Sequence, residues 1–211
     1  MTLIYLVRHG ETDWNLARRI QGSTDIPLND TGRAQARATG QLLSRRAWHL
    51  VATSPLSRAR ETAEIVAVEI GLEAPVEIEA LVERRYGDAE GLDYQTIDAR
   101  YPDDTPVPGR EERADVAARV IPAILDLAAQ HPERNLVVVT HGGVIRSVLN
   151  TVAPLSDHGK IRNGSIHSFR HTDGLLDLVR FDDPIESESL KVATDDIETQ
   201  NEIERRDRSG S

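Results

Sequence analysis

No cysteine occurs among the 211 residues of this chain. Disulfides, a thiolate nucleophile and a cysteine-bound metal are therefore excluded. Apolar runs are short, and no basic, apolar and cleavage-site pattern of a signal peptide stands at the N-terminus. The expectation is a cytoplasmic protein that does not engage a membrane. Basic residues are outnumbered, 25 Lys/Arg against 35 Asp/Glu. The net charge is −10 and the isoelectric point lies near 5.2, which argues against a nucleic-acid partner. The sequence lacks a His-Glu-x-x-His motif, an EF-hand loop, a P-loop, a G-x-G-x-x-G after a strand and any His/Asp cluster with metal-ligand spacing. No metal and no cofactor is expected. No internal repeat is evident, and one domain is the default at this length.

The acidity is uneven. Residues 182–211 hold ten Asp/Glu and four Lys/Arg, a net of −6, which leaves −4 for the rest. A local cationic pocket is compatible with that balance. The chain divides into one domain over residues 1–183 and an acidic C-terminal tail over 184–211. The tail's composition suits partial helix, around residues 185–203, or disorder.

What the sequence does contain is organised around residues 3–12. Leu3, Ile4, Tyr5, Leu6 and Val7 end abruptly in Arg8, His9 and Gly10. Such a run reads as a strand buried on both faces, as in a parallel sheet. Gly10 then lets the backbone turn without a Cβ penalty. Ligands of open α/β sheets bind beyond the carboxyl ends of strands. That rule puts Arg8 and His9 on a rim where an anion can be held and attacked. An Arg-His pair after a strand is structural by default, and the remaining motifs shift the weighting.

Thr12, Trp14, Asn15, Gln21 and Gly22 belong to a polar stretch read as a short helix and loop. Trp14 is expected to pack, and the Asn15 amide can donate to a phosphate oxygen. A turn and cap over residues 27–32 precede a helix over 31–46, with Ala34, Ala38 and Leu42 on one face. A strand at 50–53 ends at Ser54-Pro55-Leu56-Ser57-Arg58-Ala59-Arg60-Glu61-Thr62. The helix that follows aligns Ala59, Ala63, Val66 and Ile70 and closes at Gly71. Arg58 stands near its start, where the helix dipole prefers negative charge. A guanidinium and a helix N-terminus together suit a bound phosphate.

Residues 75–79 alternate as a third strand. Glu83 follows in a glycine-punctuated loop, by default a solvated charge but also a place for an acid catalyst. Residues 94–101 suit a helical turn or two. Residues 102–109, with Asp103 and Asp104, form a plain loop and candidate lid. A helix is expected over 111–130 on Val116, Val120, Ile124 and Leu127, with Glu111 and Glu112 suiting its start and Pro122 kinking it. Residues 136–140 then lead to His141, Gly142 and Gly143, repeating the strand-His-Gly-helix pattern. Two such units in one α/β domain point to convergence at one rim. Asn163-Gly164-Ser165 precedes two strands, 166–170 and 175–181, joined at Asp173-Gly174. His49, His131, His158, His167 and His171 read as structural or solvent-facing.

Arg8-His9-Gly10-Glu11-Thr12 with Asn15, the Ser54–Thr62 segment, Glu83 ahead of Gly87 and Glu90-Gly91-Leu92, and Thr140-His141-Gly142 closely resemble the histidine phosphatase superfamily, in its phosphoglycerate-mutase-like branch. The resemblance spans residues 1–181 in the family's motif order. It implies an α/β fold, a three-layer α/β/α sandwich on a mostly parallel sheet. It implies His9 as the phosphorylated nucleophile, with Arg8, Arg58 and His141 holding the phosphoryl group. Glu83 stands in the position of the proton donor, and Asn15 matches a phosphate contact. Thr12, Gln21, Gly22 and Gly142 beside these motifs are expected substrate contacts.

The chemistry fits this set. Phosphoryl transfer needs in-line attack, neutralised oxygens and a protonated leaving group. His9 must attack as neutral imidazole, which Arg8, Arg58 and any charge on His141 favour. The same cations stabilise the equatorial oxygens, and the acid gives a proton to the leaving group and later takes one from water. The expected function is a cofactor-independent phosphatase for small phosphorylated metabolites, with homodimerisation open. The alternative is a 2,3-bisphosphoglycerate-dependent phosphoglycerate mutase. Against it stand the short segment from residue 91 to 106 and two acids, Asp103 and Asp104, that repel a second phosphate. Relatives often read Gly-Gly-Glu-Ser where this chain has Gly109-Arg110-Glu111-Glu112. A non-catalytic phosphate-binding protein is a third reading, against which the complete catalytic set argues.

Overall fold

The computed structural model describes residues 1–102, 105–155, 158–183 and 185. Apart from Ile185, which is buried in a core cluster, the acidic tail lies outside the described residues, as do the lid residues Asp103 and Asp104. Six strands form one sheet: β1 (Thr2–Arg8), β2 (Leu50–Thr53), β3 (Val76–Glu77), β4 (Asn135–Thr140), β5 (Ile166–Thr172) and β6 (Leu175–Arg180). Their spatial order is β3-β2-β4-β1-β5-β6. The first four in that order run parallel, β5 pairs antiparallel with β1, and β6 pairs antiparallel with β5.

The apolar run of β1 is explained by its central place, with β4 on one side and β5 on the other. Alternate residues serve opposite faces. Tyr5 and Val7 join one core with Val51, Val66, Val137 and Val139. Ile4 and Leu6 join the other with Val120, Ile124, Val138, Val148 and Phe169. The first core is closed by α2 (Asp30–Leu43) and α3 (Ser57–Ile70), the second by α5 (Arg113–Gln130) and α6 (Gly142–Val152). The result is the α/β/α sandwich. A short α1 (Asp13–Leu16) and α4 (Tyr94–Arg100) lie among the loops. Ala89, Ile97 and Val107 make a small third cluster with Ile20, Tyr86, Leu92 and Tyr101.

Three local expectations are corrected. Ala34 and Ala38 are exposed, and α2 instead buries Gly32, Ala36, Thr39, Gly40 and Leu43. A Cβ on Gly40 would come within 2.6 Å of Glu69 Cβ and 3.3 Å of Val66 Cα, so bare backbone lets α2 approach α3. The third strand shrinks to the exposed pair Val76–Glu77. Helix α5 starts at Arg113, because Glu111 is drawn into the interior by Arg119 rather than opening the first turn.

Candidate active site

Strands β1 and β4 pair in register, Arg8 opposite Thr140, so their next residues, His9 and His141, leave the sheet at the same level. The His9 N–H donates to the Thr140 carbonyl (2.9 Å). The two imidazole centroids are 5.2 Å apart. Backbone contact fixes the turn after His9: a Cβ on Gly10 would lie 2.3 Å from the Gly32 carbonyl oxygen. Asn163 ties the same turn from the start of the antiparallel strands. Its Nδ2 donates to the carbonyls of His9 (3.0 Å) and Gly10 (3.2 Å) and to Asn15 Oδ1 (3.1 Å).

His9 is buried, and its Nδ1 lies 2.6 Å from the Gly10 carbonyl oxygen. A carbonyl only accepts, so the proton sits on Nδ1 and Nε2 keeps its lone pair. Burial first, then Arg58 and Arg8, hold the imidazole well below the ordinary histidine range. His141 is held low in the same way, by burial and then by Arg58, His9 and Arg8. It is therefore neutral, and adds no charge of its own to depress His9. His141 Nε2 lies 2.8 Å from Ser54 Oγ. The Leu56 N–H approaches that hydroxyl at 3.4 Å, so the hydroxyl hydrogen is free to donate to Nε2. That leaves the His141 proton on Nδ1, a buried atom with no partner among the described residues.

Arg58, in the first turn of α3, is wholly buried. It donates to the carbonyls of Gly22 (2.7 Å) and Thr24 (2.9 Å). Gly22 takes φ +57°, and a Cβ there would sit 2.1 Å from Glu90 Oε1, so glycine is required on both counts. Glu90 organises this loop by accepting from Ser23, Thr24 and Tyr86. Burial works against its charge, but those hydrogen bonds prevail and lower its pKa. Arg8 donates to the Ile161 carbonyl (2.8 Å). Desolvation lowers the pKa of both guanidiniums, partly offset by the Glu83 carboxylate. The Nε atoms of Arg8 and Arg58 are buried without a partner among the described residues. Buried unpaired donors cost about 1–3 kcal/mol each, and an anion in the cavity would satisfy them.

Glu83 is buried across from these cations, at the N-terminus of α6. Its Oε1 accepts from the Arg84 N–H (2.8 Å) and the Val144 N–H (3.1 Å), and its Oε2 from the Gly143 N–H (3.1 Å). Arg8, His9, Arg58, Glu83, Asn15, Gln21, Gly22 and Gly142 all line one cavity of about 290 Å³. His141 is fully buried beside His9 and does not itself line the cavity. Asn15 Oδ1 is committed to Thr12 and Asn163, which leaves its amide hydrogens for the cavity.

Thr12, like His141, is an expected contact that does not line the cavity. It is fully buried and caps α1 in a reciprocal box with Asn15. Asn163, Tyr86, Tyr94, Arg113, Arg146 and Lys160 were not anticipated. The last five line the cavity, but none sits in a motif with its own chemical signature. Among the described residues, no group of three or more His, Asp or Glu side chains is placed to hold a metal ion, and no helix is long and apolar enough to cross a membrane.

Comparison with known proteins gives one family. The model of the histidine phosphatase superfamily (branch 1) matches residues 4–184. An uncharacterized phosphatase, PhoE, of Bacillus subtilis is 41% identical over 153 residues, 72% of this chain and 78% of that protein. A metal-independent phosphoserine phosphatase of Arabidopsis thaliana is 35% identical over 179 residues, 79% of this chain and 75% of that protein. Phosphoglycerate mutases also match. Among solved structures, a mycobacterial glucosyl-3-phosphoglycerate phosphatase in complex with VO3 superposes with a TM-score of 0.76 at 33% identity, covering 85% of this chain and 98% of that one.

Proposed function

Because the chain belongs to the histidine phosphatase superfamily, we propose that His9 carries the phosphoryl group in its reaction. The chain is a phosphoric monoester hydrolase. Phosphatase-named relatives favour water, rather than a second hydroxyl, as the final acceptor.

One observation carries the reading. His9 has its proton pinned on Nδ1 by the Gly10 carbonyl, in a cavity lined by Arg8 and Arg58, whose Nε atoms are buried and unpaired among the described residues. His9 Nε2 attacks phosphorus in line, and the phosphorus–oxygen bond to the leaving group breaks. Arg8, Arg58, His141 Nδ1 and the Asn15 amide take the charge on the remaining oxygens. Protonated Glu83 gives its hydrogen to the departing oxygen. As carboxylate it then takes a proton from water while that water attacks the phosphohistidine, the phosphorus–nitrogen bond breaks, and His9 returns to its first state.

The substrate is a small phosphate ester with a second anionic group. Arg113, Arg146 and Lys160 line the same cavity. Arg146 donates to the carbonyl of His158 (2.8 Å) and to that of Gly159, anchoring the segment before Lys160. Arg113 and Lys160 are exposed, and no ion pair engages them among the described residues. Their charge suits a carboxylate, as in the phosphoserine and glucosyl-3-phosphoglycerate that relatives' names specify.

Rapid-quench labelling with p-nitrophenyl phosphate tests the central claim. The expected product is an acid-labile, base-stable protein phosphate, absent in His9→Ala and formed after exhaustive chelation. Label on a serine, or turnover with no label, would overturn the assignment.

A further inference from the structure

Glu83 sits on a segment with little regular structure. Single 3-10 turns stand before it, at Glu79–Leu81, and after it, at Gly87–Ala89, and the carboxylate itself is held by three backbone N–H groups. Behind the segment lies a second cavity of about 320 Å³, bordered by Ala80, Val82, Glu83, Arg85, Glu111 and Arg119. Side chains therefore do not back this loop with a continuous apolar surface, although a proton donor must be aimed to within a fraction of an ångström.

We propose that Arg119 and Glu111 form a positioning pair that braces this loop and sets the aim of the Glu83 carboxyl. The inference rests on the reading of Glu83 as proton donor. Arg119, on α5, meets Glu111 two-pronged, Nε to Oε1 (2.9 Å) and Nη2 to Oε2 (3.1 Å). Its Nη1 donates to the carbonyls of Ala80 (2.6 Å) and Val82 (2.8 Å), and Nη2 also reaches the Glu83 carbonyl (3.3 Å). One planar guanidinium thus grips three carbonyls over four residues, with the acid at the end. Glu111 grips the following residues. Its Oε2 accepts from the Arg85 N–H (3.1 Å), its carbonyl accepts from Arg84 Nε (2.6 Å), and its own N–H donates to the Arg85 carbonyl (2.9 Å).

Both side chains work from the rear. Neither Arg119 nor Glu111 lines the cavity that holds His9, so they touch no substrate and act through Glu83. The carboxylate of Glu111 is buried and keeps its charge: burial opposes this, and hydrogen bonds from Arg119 and the Arg85 N–H outweigh it. A guanidinium suits the role because its donors are rigidly forked. The single ammonium of lysine cannot reach Glu111 and three carbonyls together.

The test separates aim from fold by leaving group. An alkyl phosphate such as phosphoserine needs a proton on its departing oxygen, whereas p-nitrophenyl phosphate scarcely does. Misplacing a catalytic group by about 1 Å costs on the order of 10²-fold. Arg119→Met should therefore lower kcat on phosphoserine about 10- to 100-fold and on the nitrophenyl ester less than about threefold. Combined with Glu83→Gln it should add no further loss on phosphoserine. Arg119→Lys should behave like Arg119→Met, and recovery by lysine would overturn the forked geometry.

If Arg119→Met does not fold, as judged by its thermal transition, Glu111→Gln decides. A smaller split in the same direction supports the pair, and equal loss on both esters overturns it. Glu83→Gln is the control for the reading underneath. If Glu83→Gln distinguishes the esters and the Arg119 and Glu111 variants do not, the pair alone fails. If Glu83→Gln loses equally on both, the proton-donor reading fails and takes the pair with it.

Discussion

At the scale of single residues, the proposed reaction requires His9 to be neutral and nucleophilic while two cations stand beside the phosphoryl group. The requirements are compatible because Arg8 and Arg58 push the imidazole toward its neutral form, in the direction burial already pushes it. Neither arginine is paired with a carboxylate among the described residues. Backbone carbonyls of Gly22, Thr24 and Ile161 hold them instead, so their charge stays available to a ligand. The exposed cations at the cavity play a different part. A charge contact near solvent contributes up to about 1 kcal/mol, roughly fivefold in a binding constant. Arg113→Ala and Lys160→Ala should each raise KM for phosphoserine by about that factor and leave KM for phenyl phosphate, which has no second anion, nearly unchanged. Steady-state kinetics on the two esters measures this, and parallel changes on both would remove the second-anion reading.

At the scale of elements, the close packing of α2 on α3 depends on Gly40. An alanine gains about 1 kcal/mol of helix propensity at an interior glycine. Its Cβ, however, would meet Glu69 Cβ at 2.6 Å and the Val66 backbone at 3.3 Å, and overpacking costs about 1–3 kcal/mol. The steric cost prevails, so Gly40→Ala should lower the urea midpoint, whereas an unchanged or higher midpoint would show that the helices part freely. The same position explains what pattern reading missed. Strands β1 and β4 were legible because a strand buried on both faces must be apolar at every position, and each run stops abruptly at its histidine. Helix α2 was misread because its buried stripe is built from Gly32, Thr39 and Gly40, while the apolar-looking Ala34 and Ala38 face solvent. Glu111 looked like a helix-start acid, since nothing local distinguishes a charge paired eight residues away from a solvated one. Thr12 stands in the motif that follows His9 yet caps a helix. Asn163 reaches back 154 residues to His9, and no periodicity announces a contact of that range. The motifs named most of the residues that meet at the cavity, whereas the bracing behind them has no motif of its own.

At the scale of the whole molecule, pH acts through two opposing effects. The chain carries −10 at neutral pH, so acidification toward the isoelectric point near 5.2 relieves self-repulsion and favours the compact state. Surface repulsion is screened beyond about 8 Å at physiological ionic strength, and −6 of that charge belongs to residues 182–211. Against it stand three buried neutral histidines. His167 on β5 lies 3.0 Å from Ser165 Oγ through Nε2 and accepts the Asp182 N–H on Nδ1 (3.1 Å). Burial pushes its pKa from 6.5 to about 4; Asp182 opposes the shift, and Arg146 and His158 add to it. His9 and His141 shift in the same direction. Each folded-state pKa lies below the unfolded value, so the stabilisation is complete above about pH 6.5 and is lost as pH falls, when the unfolded chain takes up protons that the folded one refuses. For His167 alone the loss amounts to about 3 kcal/mol between pH 6.5 and 4, which exceeds a screened surface term. Stability from urea unfolding should therefore fall steadily from pH 7 to pH 5 despite the shrinking net charge. His167→Gln, which cannot titrate, should flatten part of that slope while lowering stability at pH 7. A stability that holds level or rises toward pH 5 would mean that repulsion governs the molecule and that these imidazoles take up protons in the folded state.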